Sequence, residues 1–117
     1  MSASFLCWEP HLGLNPGSQD FRERAYAIQR AHKPPSPTML AFIEFLLAKY
    51  PDLHPTQDTI WAAIPLNNEI SGAFIHVAVR WKFYTEARLF IRPAAHQFGL
   101  DYHDPQENLY IPAEKRE

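Results

Sequence analysis

The longest uninterrupted pattern in the chain is an alternation of side chains from position 72 to position 81. Positions 75, 77, 79 and 81 are apolar and β-branched or aromatic, and the positions between them are mixed. Because successive strand residues point to opposite faces, the stretch predicts a strand whose first face meets a core. The second face is predicted to be half buried or to meet a partner. Its residues are Phe74, His76, Ala78 and Arg80.

Three other stretches have the helical period. A helix from Ser18 or Asp20 to about His32, with Glu23 completing a capping box, has a thin apolar stripe, which predicts a peripheral position. The stretch 38–50 has a complete stripe at i, i+3, i+4 and i+7, with Ser36 as N-cap and Pro37 at the first helical position, and is predicted to cover the core. A third helix, 84–98, is interrupted by Pro93, which predicts a kink or two pieces, and it ends at Gly99.

Shorter apolar runs predict the remaining strands. Residues 4–8 form a first, interior strand, 59–66 a second strand shortened by Pro65, and 108–111 a last strand. The turn at 67–71 predicts an antiparallel hairpin between the second strand and the long one. Residues 101–106 are predicted to form a polar loop, and 113–117 a frayed tail.

The predicted order is β-α-α-β-β-α-β in one domain spanning residues 1–117. With the first two helices taken as one crossover, this order matches the split βαβ, or ferredoxin-like, plan. The sequence therefore predicts an α+β fold with a four-stranded antiparallel sheet, helices on one face, and the other face free.

Composition limits the classes of function. The chain has 117 residues, 46% of them hydrophobic, and a formal charge of −2, which fits a soluble globule and predicts no direct binding to nucleic acid or membranes. Residues 51–117 carry nine acidic against six basic side chains. A single cysteine, Cys7, excludes an intrachain disulfide. The N-terminus lacks a basic region before its apolar run, so we expect a cytoplasmic protein without a signal peptide.

No pattern predicts catalysis, a metal or a cofactor. The six histidines show no ligand spacing, and Cys7 lies in a predicted interior strand, where a thiol behaves as a small hydrophobe. Four glycines leave no room for a nucleophile elbow or a phosphate loop. The carboxylates of Asp101, Asp104 and Glu107 are expected to be solvated, and the free sheet face lacks the aromatic run of an RNA-binding platform.

Several motifs together resemble a known family. The most distinctive runs from Ala95 through Gly99-Leu100 to Asp104-Pro105-Gln106. The others are Trp8-Glu9-Pro10, Phe42-x-x-Phe45-Leu46, Tyr50-Pro51-Asp52-Leu53 and Trp61-Ala62-x-x-Pro65-Leu66. From about Phe5 to Pro112, the chain resembles small bacterial immunity proteins that accompany polymorphic toxins and secreted interbacterial effectors, including those of type VI secretion.

The resemblance implies a protein that binds a cognate toxin in the cytoplasm and occludes its active site, with no catalytic residue carried over. In such sequences the pair before the Asp-Pro-Gln run is apolar, whereas here it is Tyr102-His103, which makes the predicted loop more polar. We expect the acidic loops to meet a basic cleft on the toxin. The expected partner-binding residues are Asp101, Tyr102, His103, Asp104, Glu107, His76 and Arg80, with Asp52 and Asp58 as further acidic positions and Trp8 and Tyr110 as further aromatic anchors.

Two alternatives stay open. The chain is a small ferredoxin-like enzyme or ligand-binding protein that uses His76, Arg80 and His103 around the free sheet face, or it is a homodimer that buries two such faces against each other. Dimerisation is compatible with either function.

Overall fold

The computed structural model of the protein describes residues 2–52, 59–63 and 65–113. Its strands are β1 (Ser2–Trp8), β2 (Ile70–Ser71), β3 (Phe74–Arg80), β4 (Asp101–Asp104) and β5 (Leu109–Ile111). Its helices are α1 (Phe21–Ala31), α2 (Pro37–Lys49) and α3 (Tyr84–Gln97). Short 3₁₀ turns lie at Pro10–Leu12, Leu66–Glu69 and Trp81–Phe83. Asp58 and the predicted tail beyond residue 113 lie outside the described residues.

The strands form one antiparallel sheet in the order β2-β3-β1-β4-β5. The α+β class is therefore confirmed, and β1 is an interior strand as predicted, because it pairs with β3 on one side and β4 on the other. The four-stranded ferredoxin-like plan is not confirmed, since the sheet has five strands.

The first face of the sheet forms the main core with α2 and α3. Ile75, Val77 and Val79 of β3 are fully buried there, as the alternation predicts. Helix α2 begins as predicted, because the hydroxyl of Ser36 accepts a hydrogen bond from the backbone N–H of Met39 at 3.1 Å. Its buried residues are Met39, Phe42, Ile43 and Leu46.

The second face is not free, and the prediction of helices on a single face was wrong. Helix α1 packs on this face, where Phe21 contacts the ring of Trp8 at 5.7 Å between centroids. Phe74 stacks on Trp8 at 6.0 Å and belongs to the same cluster. Trp8 and Phe74 point away from the main core, so another element must bury them. The narrow apolar stripe of α1 packs against them and does so.

The N-terminus of α1 differs from the predicted capping box. Asp20 occupies the N-cap position but its side chain makes no capping hydrogen bond. Its carboxylate instead accepts a hydrogen bond from the Ser18 hydroxyl at 2.6 Å. Asp20 has backbone angles of φ −93° and ψ 8°, outside the extended region in which a capping side chain reaches the next turn.

The predicted second strand, 59–66, was wrong. Among the described residues of this segment, 59–63 and 65–66, Trp61 makes only an isolated bridge to Val79, and the strand that completes the hairpin is β2, where a turn was predicted. Gly72, with φ +60°, lies in the turn between β2 and β3. The apolar side chains Ile60, Trp61 and Leu66 are buried without forming a regular strand.

The prediction for Trp81 needs correction. Trp81 was assigned to the core face of β3, but the strand ends at Arg80 and Trp81 is 48% exposed. Of the two alternatives at Pro93, division into two pieces is wrong, because Pro93 lies inside one continuous α3, and the kink stays a prediction. Gly99 ends the helix as predicted, with φ +68°, and the backbone N–H of Leu100 donates to the carbonyl of Ala95 at 2.9 Å.

Candidate functional site

The predicted recognition loop, 101–106, is largely the buried strand β4. Asp104 is fully buried and accepts hydrogen bonds from the Tyr84 hydroxyl at 2.6 Å and from the backbone N–H of Gln106 at 2.9 Å. The side-chain amide of Gln106 donates to the same carboxylate at 2.5 Å. Burial and the hydrogen bond to Asp104 raise the pKa of the Tyr84 hydroxyl to about 12. Asp104 therefore holds the turn after β4 and is not displayed to solvent.

The side chain of Gln106 extends the sheet beyond β4. The pairing of β1 with β4 ends at Leu6 and His103. Further along β1, the Oε1 of Gln106 accepts from the backbone N–H of Ser4 at 2.8 Å, and its Nε2 donates to the Ser4 carbonyl at 2.8 Å. The Asp-Pro-Gln motif thus fastens the β4–β5 turn to the central strand.

The other β4 residues are buried as well. Asp101 accepts from the backbone N–H of Ala113 at 2.7 Å and from the Tyr110 hydroxyl at 3.4 Å. Tyr102 lies in the main core, where burial raises its pKa. The loop prediction was wrong because Asp101 and Asp104 find hydrogen-bond partners in α3, β5 and the adjoining turns, which lets these carboxylates occupy an interior strand. Their partner-binding role stays a prediction, although in this conformation Asp101–Asp104 present almost no surface.

Glu107 is exposed on the β4–β5 turn, and two arginines of α3 share its carboxylate. Arg88 lies 2.5 Å and Arg92 2.8 Å from its two oxygens. The two guanidinium groups therefore share one exposed carboxylate, while the carboxylate of Asp104 is buried against the Tyr84 hydroxyl. Glu107 is thus already paired within the chain, and its contact with a basic partner stays a prediction.

The sheet brings two predicted site residues into one row on the second face. Leu6 pairs with His76 of β3 on one side and with His103 of β4 on the other, which places the histidines about 10 Å apart. His76 Nε2 lies 2.8 Å from the Ser4 hydroxyl. His103 is 9% exposed, and its buried Nδ1 has no hydrogen-bond partner among the described residues. Burial lowers the pKa of both histidines, partly offset by the carboxylates of Glu69 and Asp104 respectively.

A groove of about 450 Å³ adjoins this row, between the start of α1 and the β4–β5 turn. Its lining includes Leu6, Phe21 and His103 together with polar residues such as Arg22 and Asn108. Arg80, the last predicted site residue, lies at the far end of β3 and is not among the groove residues. The structure thus places His76 and His103 on either side of Leu6, whereas Arg80 lies apart from both histidines.

Arg80 instead adjoins an aromatic surface at the end of β3. Trp81 stacks on Tyr84 with ring centroids 5.2 Å apart and an interplanar angle of 16°. The cationic groups of Arg80 and Lys82 lie 5.9 and 5.2 Å from the ring centroid of Phe83. The indole of Trp81 is therefore about half exposed and stacks on Tyr84, next to a Phe83 ring that two cations approach.

The surface of α3 was missed in the sequence. Trp81 was assigned to the core, Arg88 was placed in the helical stripe, and Leu89 was not singled out. A signal was present, since Leu89 is a large apolar residue that lies apart from the buried positions 87, 91, 94 and 95. The stripe used in the prediction described only the side of the helix that faces the core.

Two features of the described residues bear on metal binding and on membrane insertion. In the described ranges, no group of three or more His, Cys, Asp or Glu side chains is placed to hold a metal ion. No helix within those ranges is long and apolar enough to cross a bilayer.

Comparison of the chain with family models, curated proteins and solved structures finds no match. The similarity to immunity proteins therefore rests on the motif residues alone.

Proposed function

We propose that this protein is a binding protein that neutralises a cognate bacterial toxin in the cytoplasm by covering its active site. The motif residues described above support the assignment to toxin immunity. The observation that carries the proposal is the exposed indole of Trp81, since Trp8 and Trp61, the other two tryptophans, are buried.

An anchored and exposed tryptophan suits protein recognition. Trp81 offers a large apolar area, and its stacking on Tyr84 limits the rotamer entropy that binding would cost. Tryptophan, tyrosine and arginine are the residue types most enriched among those that dominate binding energy at interfaces. The Tyr84 ring behind Trp81 is itself fixed in place, because its hydroxyl donates a hydrogen bond to buried Asp104. The side-chain amide of Gln106 donates to the same carboxylate.

The test starts from the tagged protein in its native cells. Partners recovered with it are identified by mass spectrometry, and any that carries a toxin domain is purified for isothermal titration and expressed for a growth assay. We expect one stoichiometric partner of nanomolar affinity, whose toxicity co-expression of this protein abolishes.

Two variants separate recognition from folding. We expect Trp81→Ala to weaken binding at least thirtyfold, a loss of about 2 kcal/mol, while the variant stays folded and loses about 1 kcal/mol of unfolding free energy with the stacked pair. Tyr26→Ala, which removes an exposed aromatic side chain on α1, is the matched control and should bind normally. If Trp81→Ala binds the toxin as tightly as the wild type does, the exposed indole is not a recognition residue, and the proposal loses the observation that carries it.

A second candidate function is small-molecule binding or catalysis on the second face of the sheet. It is favoured by the close contact of His76 with Ser4 and by the row that His76 forms with Leu6 and His103. A metabolite detected by native mass spectrometry, and lost in His103→Gln, would support this function over toxin binding. Purified protein that carries no such molecule, together with a neutralised toxin, would exclude it.

A further inference from the structure

The outward face of α3 differs in chemistry from the rest of the helix. Its inward face is made of small and apolar residues buried in the core. On the outward face Leu89 is 67% exposed, more than the other exposed large apolar residues described. Arg92 lies three residues after Leu89 and four residues after Arg88, so it is a surface neighbour of both, and the leucine and two cations lie in one continuous region.

Two guanidinium groups of this surface share one exposed carboxylate. Arg88 and Arg92 both donate to the carboxylate of Glu107. Their Nε atoms are buried and lack a hydrogen-bond partner among the described residues, so a docked group would meet the rest of each guanidinium. The carboxylate of Asp104 is buried, and that of Glu86 accepts from the Tyr50 hydroxyl at 2.6 Å. Both guanidinium groups therefore depend on one exposed acceptor, on a half-exposed surface beside an exposed leucine.

We infer that the outward face of α3 is the surface on which the toxin docks, and that the toxin presents a carboxylate to Arg88 and Arg92 beside an apolar side chain that covers Leu89. The inference rests on the proposed function and deepens it by stating the chemistry of the partner. The second carboxylate would complete a cluster in which two guanidinium groups now share one anion. Guanidinium groups bind carboxylates through paired N–H donors, which gives the contact a defined geometry.

This polarity is the reverse of the one that the sequence predicts. An acidic loop on this protein implies a basic toxin cleft, whereas the Arg88–Glu107–Arg92 cluster implies an acidic segment on the toxin. The two possibilities make opposite predictions for Glu107. If the toxin contacts the arginines, removal of the competing carboxylate strengthens binding, and if the toxin contacts Glu107 itself, the same change weakens it.

The experiment is isothermal titration of the toxin identified by growth rescue against five purified proteins. These are the wild type, Glu107→Gln, Arg92→Glu, Leu89→Asp and the control Leu40→Asp, which introduces the same charge at an exposed leucine of α2. We expect Glu107→Gln to bind severalfold more tightly, and Arg92→Glu and Leu89→Asp each to bind at least tenfold more weakly. Leu40→Asp should bind as the wild type does. Urea unfolding of each variant shows whether it remains folded.

The outcomes separate this inference from the proposed function. Weaker binding by Glu107→Gln, or unchanged binding by both Arg92→Glu and Leu89→Asp, would overturn the docking surface while toxin neutralisation stands. A Leu89→Asp variant that changes only the oligomeric state, measured by light scattering, would assign the face to a second copy of the chain and overturn it too. A wild-type protein that rescues no toxin would remove the proposed function itself.

Discussion

The side-chain amide of Gln106 pairs with both main-chain polar groups of Ser4, as a neighbouring strand would. The N–H of Ser4 donates to Oε1 and its carbonyl accepts from Nε2, each at 2.8 Å. A carboxamide has the donor and acceptor geometry of a peptide unit, so it can replace one residue of a strand where the backbone of the partner has already turned away. The central strand β1 thereby keeps a partner beyond the end of β4.

Replacement of Gln106 by alanine should destabilise the protein by about 1–3 kcal/mol, because it leaves the polar groups of Ser4 and the Asp104 carboxylate with fewer partners. The measurement is the unfolding free energy from urea titration. Gln97→Ala, at an exposed position of α3, is the control and should change it by less than about 0.5 kcal/mol. Equal effects of the two substitutions would contradict the strand-like role of Gln106.

Tyr84→Phe should cost about 1–2 kcal/mol of unfolding free energy. The substitution preserves the ring that stacks on Phe5 and Trp81 but removes a hydroxyl donor to the buried carboxylate of Asp104. Tyr26→Phe removes a hydroxyl from an exposed ring and should be neutral. If Tyr84→Phe unfolds at the same urea concentration as the wild type, Asp104 does not depend on this bond.

Gly99→Ala tests the backbone at the end of α3. Gly99 has φ +68°, and its N–H donates to the carbonyl of His96 at 3.1 Å, while an added Cβ would meet nothing within 4 Å. The cost should therefore be that of the left-handed conformation alone, about 1 kcal/mol. Gly17→Ala, whose φ lies outside the left-handed region, should cost less in the same thermal unfolding experiment. A larger loss at Gly17 would be inconsistent with this assignment.

Stability should fall as the pH drops below about 6.5, the pKa of an unperturbed histidine. Burial lowers the pKa of His76 and His103 in the folded protein, so the unfolded chain binds more protons in this range. The stabilising effect is fully present above the unfolded pKa and is lost as the pH falls through the folded values. Glu69 and Asp104 attract the proton and moderate the effect.

The measurement is the unfolding free energy at about pH 7.5 and about pH 5.5. The double variant His76→Gln/His103→Gln should lose less stability between the two than the wild type, because it lacks the groups whose pKa differs between states. His96→Gln, at an exposed position, is the control and should keep the wild-type difference. A double variant with an unaltered pH dependence would assign the loss to other groups.

The sequence predicted those elements whose local pattern agrees with their tertiary environment. The strand β3, the cap of α2 at Ser36 and the end of α3 at Gly99 were found because alternation, capping and glycine each act within a few residues. The faces of the sheet were harder, since Phe74 and Trp8 point away from the main core and their burial depends on where α1 docks. The local sequence pattern of α1 does not specify the face of the sheet on which the helix docks.

The candidate site was predicted less well for a related physical reason. Asp101 and Asp104 have the composition of a loop, and only the partners brought by α3, β5 and the adjoining turns make their burial tolerable. The pairing of two arginines with Glu107 is likewise a tertiary property, since the arginines come from α3 and the glutamate from the β4–β5 turn.

The uneven burial of the three tryptophans gives the protein an internal optical reporter. Trp8 and Trp61 lie in closed packing, while the indole of Trp81 meets solvent at the proposed interface. Their fluorescence therefore consists of a shielded component and one that dissolved quenchers can reach. Any partner that covers the end of β3 should shift the emission to shorter wavelength and protect it from iodide, so docking at this position can be followed without a label.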